Sequence, residues 1–340
     1  MLKSAFLNIN EPNFAPVKKS DIKGIDGERF SASALTMALN ARISWASRKE
    51  DNAKADLIIT MLHPWKKNKA EVILCQVKAG HTYAKIINEN PTKTKYEKSE
   101  FKDYLNNRNP FFICWVNTEN HQVFWFIIKA NSKFLRNEFG PLHKLSPATR
   151  YDLMRILNGF EYKSGGKGLQ FSVLNSNEKR GHKYDKIAFK NLRDVAKRKY
   201  SELKKIKGID SEIFGPILFT NFGWRHITRE SRWSKYKVSS YEILPILKPL
   251  LKSSPTKHYI QNFSEESDKS QKYRKVEYLL EYNNVKMFCK ENSKLLDVKA
   301  YVKIIEIIKY PKNWKTNSSL TTEIKRRVKF KSIYYKCKSD

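Results

Sequence analysis

The sequence predicts an α/β N-terminal part followed by an α+β C-terminal part that contains an antiparallel sheet. In the N-terminal part, a helical stretch from Phe30 to Asn40 with one broad apolar side precedes short apolar runs of strand length. In the C-terminal part, helical stretches precede three consecutive strand-like runs, at 276–282, 298–309 and 328–335. This change in the order of elements indicates two different fold classes within one chain.

The length of the chain, 340 residues, favours two domains over one. Apolar periodicity disappears between the glycine-rich segment 163–168 and the polar stretch 175–186, as expected at a boundary. We therefore place the first domain at 1–160, a basic linker or helix at 161–205 and the second domain at 206–340. The glycine-rich segment lacks the Lys-Ser/Thr ending of a phosphate-binding loop, so it predicts a turn and not a nucleotide site.

Two pairs of strands are predicted in the first domain. The apolar runs 57–59 and 72–75 flank a polar, turn-like segment, which favours an antiparallel hairpin. The runs 111–116 and 123–128 flank the turn-forming residues 117–120 in the same way. Together with the helix before them, these strands indicate a small α/β layer.

Three polar residues lie on the first hairpin: Asp56 before its first run, and Gln76 and Lys78 after its second. Side chains alternate along a strand, so Gln76 and Lys78 share one face. Counting outward from a turn at Lys67 places Asp56 opposite Lys78. A carboxylate and an amide oxygen suit Mg²⁺, and a nearby ammonium group can orient water and stabilise charge on a phosphate. The alternative is an ordinary strand pair whose charges face solvent.

The order Asp56, hairpin, Gln76 and then Lys78 resembles the PD-(D/E)XK superfamily of restriction-endonuclease-like nucleases, in its Mrr-like variant with glutamine in the second motif. The resemblance covers residues 20–130 and adds Glu28, which precedes the helical stretch through Leu39 and corresponds to a glutamate that the superfamily often has on the helix before the first strand. It implies a restriction-endonuclease-like α/β/α layer and a catalytic site of Glu28, Asp56, Gln76 and Lys78, with Asp56 and Gln76 as ligands of Mg²⁺ or Mn²⁺. The implied reaction is endonucleolytic hydrolysis of DNA, as in defence against foreign nucleic acid.

A second candidate site lies in the C-terminal domain. His226, followed by Arg229 and Arg232, and Ser332 on a late strand resemble the barnase, EndoU, colicin and RelE-like group of metal-independent ribonucleases over residues 210–340. The resemblance implies that His226 is a general acid or base, that an arginine stabilises the phosphate charge and that Ser332 hydrogen-bonds the phosphate. The ribose 2'-hydroxyl would attack without a cofactor. The alternative is a histidine held in a structural hydrogen bond.

The charge of the chain predicts a polyanionic partner. Its 66 Lys and Arg residues exceed its 34 Asp and Glu residues, for a formal net charge of +32. We expect DNA as the favoured partner with RNA as the alternative, and binding that weakens steeply with salt. Contacts are expected from Lys95 and Lys98 in a basic segment of the first domain and from Arg225 and Lys331 beside the second site. The sequence does not predict a protein partner or an oligomeric state, and it is compatible with a homodimer.

The chain is expected to act in the cytoplasm, with no membrane partner. No apolar run has the length of a signal peptide or a transmembrane span. The four cysteines show no paired spacing, which is typical of a reducing compartment.

Three functional classes follow from these observations. The first is a Mg²⁺-dependent nuclease that acts on DNA through the N-terminal domain. The second is a toxin-like ribonuclease that acts through the C-terminal domain, with an N-terminal domain that only recognises nucleic acid. The third is a nucleic-acid-binding protein without catalysis.

Overall fold

The computed structural model describes residues 19–47, 54–80, 83–87, 90–94, 104, 110–128, 141–158, 169–172, 186–289, 294–316 and 323–337. These residues form a mixed α/β structure with a five-stranded sheet, a seven-stranded sheet and a separate two-stranded pair. The chain divides into two compact units: the first comprises Met1–Leu62 and Ala70–Thr149, and the second comprises His63–Lys69 and Arg150–Asp340. Within the described ranges, no helix is long and apolar enough to cross a membrane.

The first unit places one long helix beside the five-stranded sheet, whose order is β1-β2-β3-β6-β7. Neighbouring strands are antiparallel except for β3 and β6, which run parallel. The elements are α1 (Lys19–Leu39), β1 (Ala41–Trp45), β2 (Leu57–Leu62), β3 (Ala70–Ala79), β6 (Phe111–Asn117) and β7 (Gln122–Ile128), with β4 (Ala84–Ile87) and β5 (Asn90–Thr94) as the separate pair.

The strands predicted for this region are all confirmed. Burial alternates along β2, as expected for a strand with one buried face, whereas every residue of β6 is buried, as expected for a central strand. The helix is longer than its apolar pattern indicated, because α1 begins at Lys19 and not at Phe30. Gly24 and Gly27 lie inside it, and glycine is a poor helix former, so the first turns were not predicted.

One glycine sets the distance between α1 and the sheet. A Cβ atom added at Gly27 would lie 2.6 Å from the Cβ of Ala79, at the end of β3. One turn further along the helix, the Ser31 hydroxyl accepts a hydrogen bond from the Cys114 thiol of β6 at 3.5 Å. The helix therefore crosses the face of the sheet that carries Ala79, with its backbone pressed against the strand at Gly27.

The second unit combines helices with the seven-stranded sheet. Its main path is β11-β12-β13-β14-β10-β9, and β8 pairs with β12. The elements are α2 (Thr149–Asn158), β8 (Leu169–Ser172), α3 (Lys186–Lys205), β9 (Ile209–Ser211), β10 (Gly215–Leu218), α4 (Asn221–Thr228), α5 (Ser234–Ile243), α6 (Leu247–Lys252), β11 (Lys257–Ser267), β12 (Gln271–Cys289), β13 (Lys294–Pro311) and β14 (Lys325–Cys337).

The predicted antiparallel order of β12, β13 and β14 is confirmed, and β11 adds a further antiparallel strand, but this sheet is mixed. Strand β10 joins β14 in parallel, and β8 joins β12 in parallel. The sequence did not predict β11, because nearly all of its residues are exposed and no alternation of apolar and polar side chains marks it. The turn expected at Gly223 is also wrong: Gly223 lies within α4, where the lack of a side chain lets the helix approach Tyr200 and Phe330.

A buried carboxylate joins α2 to two central strands of this sheet. Glu306 of β13 is fully buried and accepts hydrogen bonds from Arg155 Nη1 at 2.8 Å and Arg326 Nε at 2.7 Å. Burial alone would raise the pKa of Glu306, but these arginines and Arg274 lower it to about 2. Asp152 pairs with both Arg155 and Arg274, which completes the network.

The contact at Gly27 can be tested against a matched glycine in the same helix. Gly27→Ala should lower the free energy of unfolding by about 1–3 kcal/mol, because the new methyl group overlaps Ala79. Gly24→Ala should raise it by up to about 1 kcal/mol, because no atom lies within 4 Å of the added Cβ and alanine favours the helix. Urea denaturation measures both, and equal effects of the two changes would contradict the close approach.

Candidate functional site

The carboxylate of Asp56 joins the adjoining ends of β2 and β3. Its Oδ2 atom accepts hydrogen bonds from Gln76 Nε2 and from the backbone N–H of Val77, both at 2.6 Å. The expectation that Asp56 lies opposite Lys78 is wrong. Leu57 pairs with Cys75, because the loop between the strands spans 63–69 and is centred one residue earlier than assumed. A shift of one residue in the centre of a hairpin moves the opposite residue by two.

Gln76 stands between Asp56 and a buried tyrosine. Its amide nitrogen donates to Asp56, and its Oε1 atom accepts a hydrogen bond from Tyr104 Oη at 3.1 Å. Gln76 is 7% exposed and Tyr104 is 1% exposed, so water competes little for these bonds. Tyr104 was not predicted as part of this site, because it lies outside the spacing of the hairpin motif.

Lys78 lies on the same face of β3 as Gln76, one pleat further along the strand. Its Nζ atom lies 5.1 Å from the centre of the Tyr83 ring, a cation–π contact that fixes the ammonium group near the strand end. In the sheet, Lys78 pairs in register with Trp115 of β6. The indole N–H of Trp115 donates a hydrogen bond to the Gly80 carbonyl at 2.8 Å. The lysine therefore stands on a rigid part of the sheet.

Glu28 lies on α1, directly after Gly27. Since Gly27 touches Ala79 and side chains alternate along β3, the helix crosses the face opposite to Gln76 and Lys78. Glu28 is partly exposed, and it follows the residue whose backbone meets Ala79 at the end of β3. The structure thus brings Asp56 and Gln76 into contact, places Lys78 beside them, and puts Glu28 at the neighbouring helix turn.

Two thiols lie beneath this group and are not nucleophiles. Burial raises the pKa of Cys75 well above its ordinary value, and the nearby charges of Cys114 and Asp56 raise it further. Burial also raises the pKa of Cys114 to about 12, although the hydrogen bond with Ser31 opposes the change. Both side chains therefore stay protonated at neutral pH.

The donor set beside Asp56 fits a hard divalent cation in its chemistry. Among the residues that the structure describes, no three His, Cys, Asp or Glu side chains gather closely enough to hold a metal ion. Mg²⁺, however, commonly takes one or two carboxylates and completes its shell with water and phosphate. Asp56 supplies one anionic oxygen. Gln76 can supply a neutral oxygen if its side-chain amide rotates by half a turn, so that its oxygen faces Asp56 and its nitrogen faces Tyr104. Tyr104 Oη can then accept a hydrogen bond from the amide nitrogen in place of the one that it donates to the carbonyl.

A second group of charged side chains surrounds Glu277 on β12. Its Oε2 atom lies 2.5 Å from Lys331 Nζ of β14 and accepts from Asn262 Nδ2 of β11 at 3.4 Å, and its Oε1 atom lies 4.0 Å from Lys303 Nζ of β13. The register between β13 and β14 shifts at Lys331, because Lys303 pairs with Ser332 and the next residue, Ile304, pairs with Phe330. Four strands therefore contribute to one cluster on one face of the sheet.

His226 adjoins this cluster from α4. It was expected at the start of a helix but lies in the last turn. Burial lowers its pKa below the ordinary value, and the positive charges of Lys331 and Arg229 lower it further, against the opposing effect of Glu277. An open pocket of about 330 Å³ is lined by Phe222, Arg225, His226 and Arg229.

Two further predicted residues lie near His226. Arg232 Nη2 donates to the Ile333 carbonyl at 3.4 Å, and burial followed by the charge of Arg229 lowers the pKa of Arg232. Ser332 is buried on β14, opposite Lys303. Lys95 and Lys98, expected to contact nucleic acid, lie outside the described residues.

Three residues of this cluster were not predicted: Glu277, Lys303 and Asn262. Glu277 lies in an apolar run, where a charged residue is expected to face solvent. In the structure, however, Glu277 is only 6% exposed. Its one usable signal was that position, a carboxylate inside a strongly apolar strand. Lys303 and Asn262 join it only through strand pairing.

Two groups of side chains therefore qualify as candidate sites, one around Asp56 and Gln76 and one around Glu277 and His226. The first combines oxygen ligands with a lysine, and the second combines a carboxylate and an imidazole with several cations. No protein-family model, curated protein or solved structure matches this chain.

Proposed function

We propose that this chain is a nuclease whose first unit hydrolyses DNA with the help of Mg²⁺ or Mn²⁺. One observation carries the proposal: Asp56 and Gln76 meet at 2.6 Å at the adjoining ends of β2 and β3, with Lys78 on the same strand face. Hydrogen-bonded carboxylate and amide groups beside a lysine are the groups needed for metal-assisted phosphodiester hydrolysis.

The order of elements supports this proposal. Glu28 lies on the helix before the first strand, Asp56 precedes β2, and Gln76 and Lys78 lie on the antiparallel partner β3, which is the arrangement implied by the resemblance to the PD-(D/E)XK superfamily. The formal net charge of +32 gives a DNA substrate favourable electrostatics at long range. The restriction-endonuclease-like α/β/α layer is part of the same proposal.

Each side chain has a separate task in this reaction. A bound divalent cation would polarise the phosphate and lower the pKa of a water molecule. Asp56 and the reversed amide of Gln76 would hold the cation, while hydrogen bonds with the Val77 N–H and the Tyr104 hydroxyl orient the two side chains. Lys78 would orient the attacking water and stabilise charge that develops on the phosphate. Glu28 would accept hydrogen bonds from water at the same strand end.

Cleavage of DNA in Mg²⁺ should depend on Lys78. Lys78→Ala should reduce the rate about 100-fold or more, because it removes a positive charge that stabilises the transition state. Lys67→Ala, in the loop after β2, removes the same charge from an exposed position and should change the rate less than twofold, roughly the effect of one screened surface charge. Gel assays on plasmid and linear DNA, with and without EDTA, measure both rates.

The outcome that contradicts the proposal is equally concrete. Equal DNA cleavage by wild type and Lys78→Ala, or cleavage that persists in EDTA, would place the activity elsewhere. Loss of activity in Lys78→Ala counts only if its unfolding curve matches that of the wild type.

A second candidate function is supported by the contacts of Glu277. A carboxylate, an imidazole and several cations at one site suit metal-independent cleavage of RNA. Glu277 would take the proton of the ribose 2'-hydroxyl, whose oxygen attacks the phosphorus, and His226 would protonate the departing 5'-oxygen, leaving a 2',3'-cyclic phosphate. Lys331 and Arg229 would stabilise the phosphate charge, and Ser332 would donate a hydrogen bond to it.

Cleavage of RNA in EDTA tests this candidate. Glu277→Gln and His226→Ala should each reduce the rate by about 100-fold or more, the usual worth of a general base or acid. Glu281→Gln is the matched control, because it neutralises a buried carboxylate on the same strand and face without contact to the cluster. Unchanged cleavage in both site variants would exclude the candidate, and a protein that cuts neither DNA nor RNA would be a binding protein.

The pH dependence of RNA cleavage follows from the two shifted pKa values. The pKa of Glu277 is lowered from its ordinary value of 4.5, so its carboxylate is ionised at every pH above that value. The pKa of His226 is lowered from its ordinary value of 6.5, so as pH rises the imidazole loses its proton at a pH below 6.5. The rate should therefore fall as pH rises through a value below 6.5. Lys331→Met removes a positive charge near His226, so it should move this alkaline limb to higher pH, whereas Lys336→Met should leave it in place. Rate profiles and NMR titration of the His226 ring measure the shift.

A further inference from the structure

Four residues of α4 and its C-terminal end form a stripe at helical spacing. Arg225 and His226 follow Phe222 by three and four positions, and Arg229 follows them by four and three, which places the four residues on one side of the helix. All four line the same open pocket of about 330 Å³. The spacing was not recognised in the sequence, because the helix was expected to begin after Gly223.

An exposed aromatic ring lies in this pocket between cations. Phe222 is 38% exposed, although its ring centre lies only 4.5 Å from that of His226 in an edge-to-face contact. The contact fixes the orientation of the Phe222 ring, and its open part can take a further stacking partner. Arg225, also exposed, and Arg229 flank the two rings.

The surroundings of the pocket favour an anion. Arg229, Arg232, Lys303 and Lys331 are four cations that influence one another electrostatically, and Glu277 is the carboxylate among them. Such an excess of positive charge is suited to phosphate groups. A rigid aromatic ring beside a cationic groove is the combination that binds successive bases and phosphates of single strands.

We propose that this stripe is a binding site for single-stranded nucleic acid, in which a base stacks on Phe222 and the neighbouring phosphates contact Arg225 and Arg229. The proposal rests on the nucleic-acid partner of the proposed function but requires catalysis by neither unit. A duplex does not fit this site in the same way, because its bases are already stacked and cannot reach a side chain in a pocket. Phe222 therefore selects locally unpaired strands.

Binding of fluorescent oligonucleotides tests the proposal directly. The probe is a 12-residue single-stranded DNA in EDTA, which lacks both the metal for hydrolysis and the 2'-hydroxyl for transfer, and the comparison is the same sequence as a duplex. Phe222→Ala should weaken single-strand binding about tenfold, the usual worth of one stacked base, with duplex binding unchanged. Phe222→Trp should restore it.

Two controls separate stacking from charge and from general exposure. Trp233→Ala removes an aromatic ring that is 71% exposed outside this pocket and should leave both affinities unchanged. Arg225→Ala should reduce the dependence of log Kd on log salt by about one phosphate contact. The proposal is overturned if Phe222→Ala leaves single-strand binding unchanged or weakens single strands and duplex equally. Absence of any nuclease activity, by contrast, would refute the proposed function and leave this result intact.

Discussion

A carboxylate that loses contact with water must be matched by donors or cations, and in each compact unit one fully or partly buried carboxylate links neighbouring elements in this way. In the second unit, Glu306 takes that role, since Arg155 and Arg326 connect it to a helix and a neighbouring strand. In the first unit, Asp56 takes a backbone N–H and an amide N–H from β3. These bonds hold the strands in one register, and the candidate chemistry depends on that register.

The two carboxylates differ in what they can still do. Glu306 is fully buried among arginines, so its charge serves only to hold the sheet and the helix together. Asp56 is only partly buried and stands at the end of two strands, where a cation and a phosphate can approach. Glu277 is itself buried, but the side chains of its partners Lys303 and Lys331 are 27% and 20% exposed, so a phosphate can compete for them.

Periodicity determined most of the strands. The central strands β6 and β7 and the long strands β12 to β14 were visible as apolar runs, because buried strands need apolar side chains whatever their neighbours are. The exposed strand β11 was not predicted, because it has no buried face and therefore no apolar pattern. Its backbone hydrogen bonds to β12 hold it in the sheet. Helix α1 was shortened in the prediction by its glycines, whose value lies in the contact with Ala79.

Short-range spacing was enough to predict that Asp56, Gln76 and Lys78 share a hairpin and that His226 has arginines nearby. Which of these residues meet depends on the pairing of strands that lie far apart in the chain. The length of one loop placed Asp56 against Gln76 and not Lys78, and Tyr104 joined them across the fold. Strand pairing brought Glu277 to Lys331, 54 positions away in the sequence. Such contacts depend on register and sheet order, which local residue patterns do not encode.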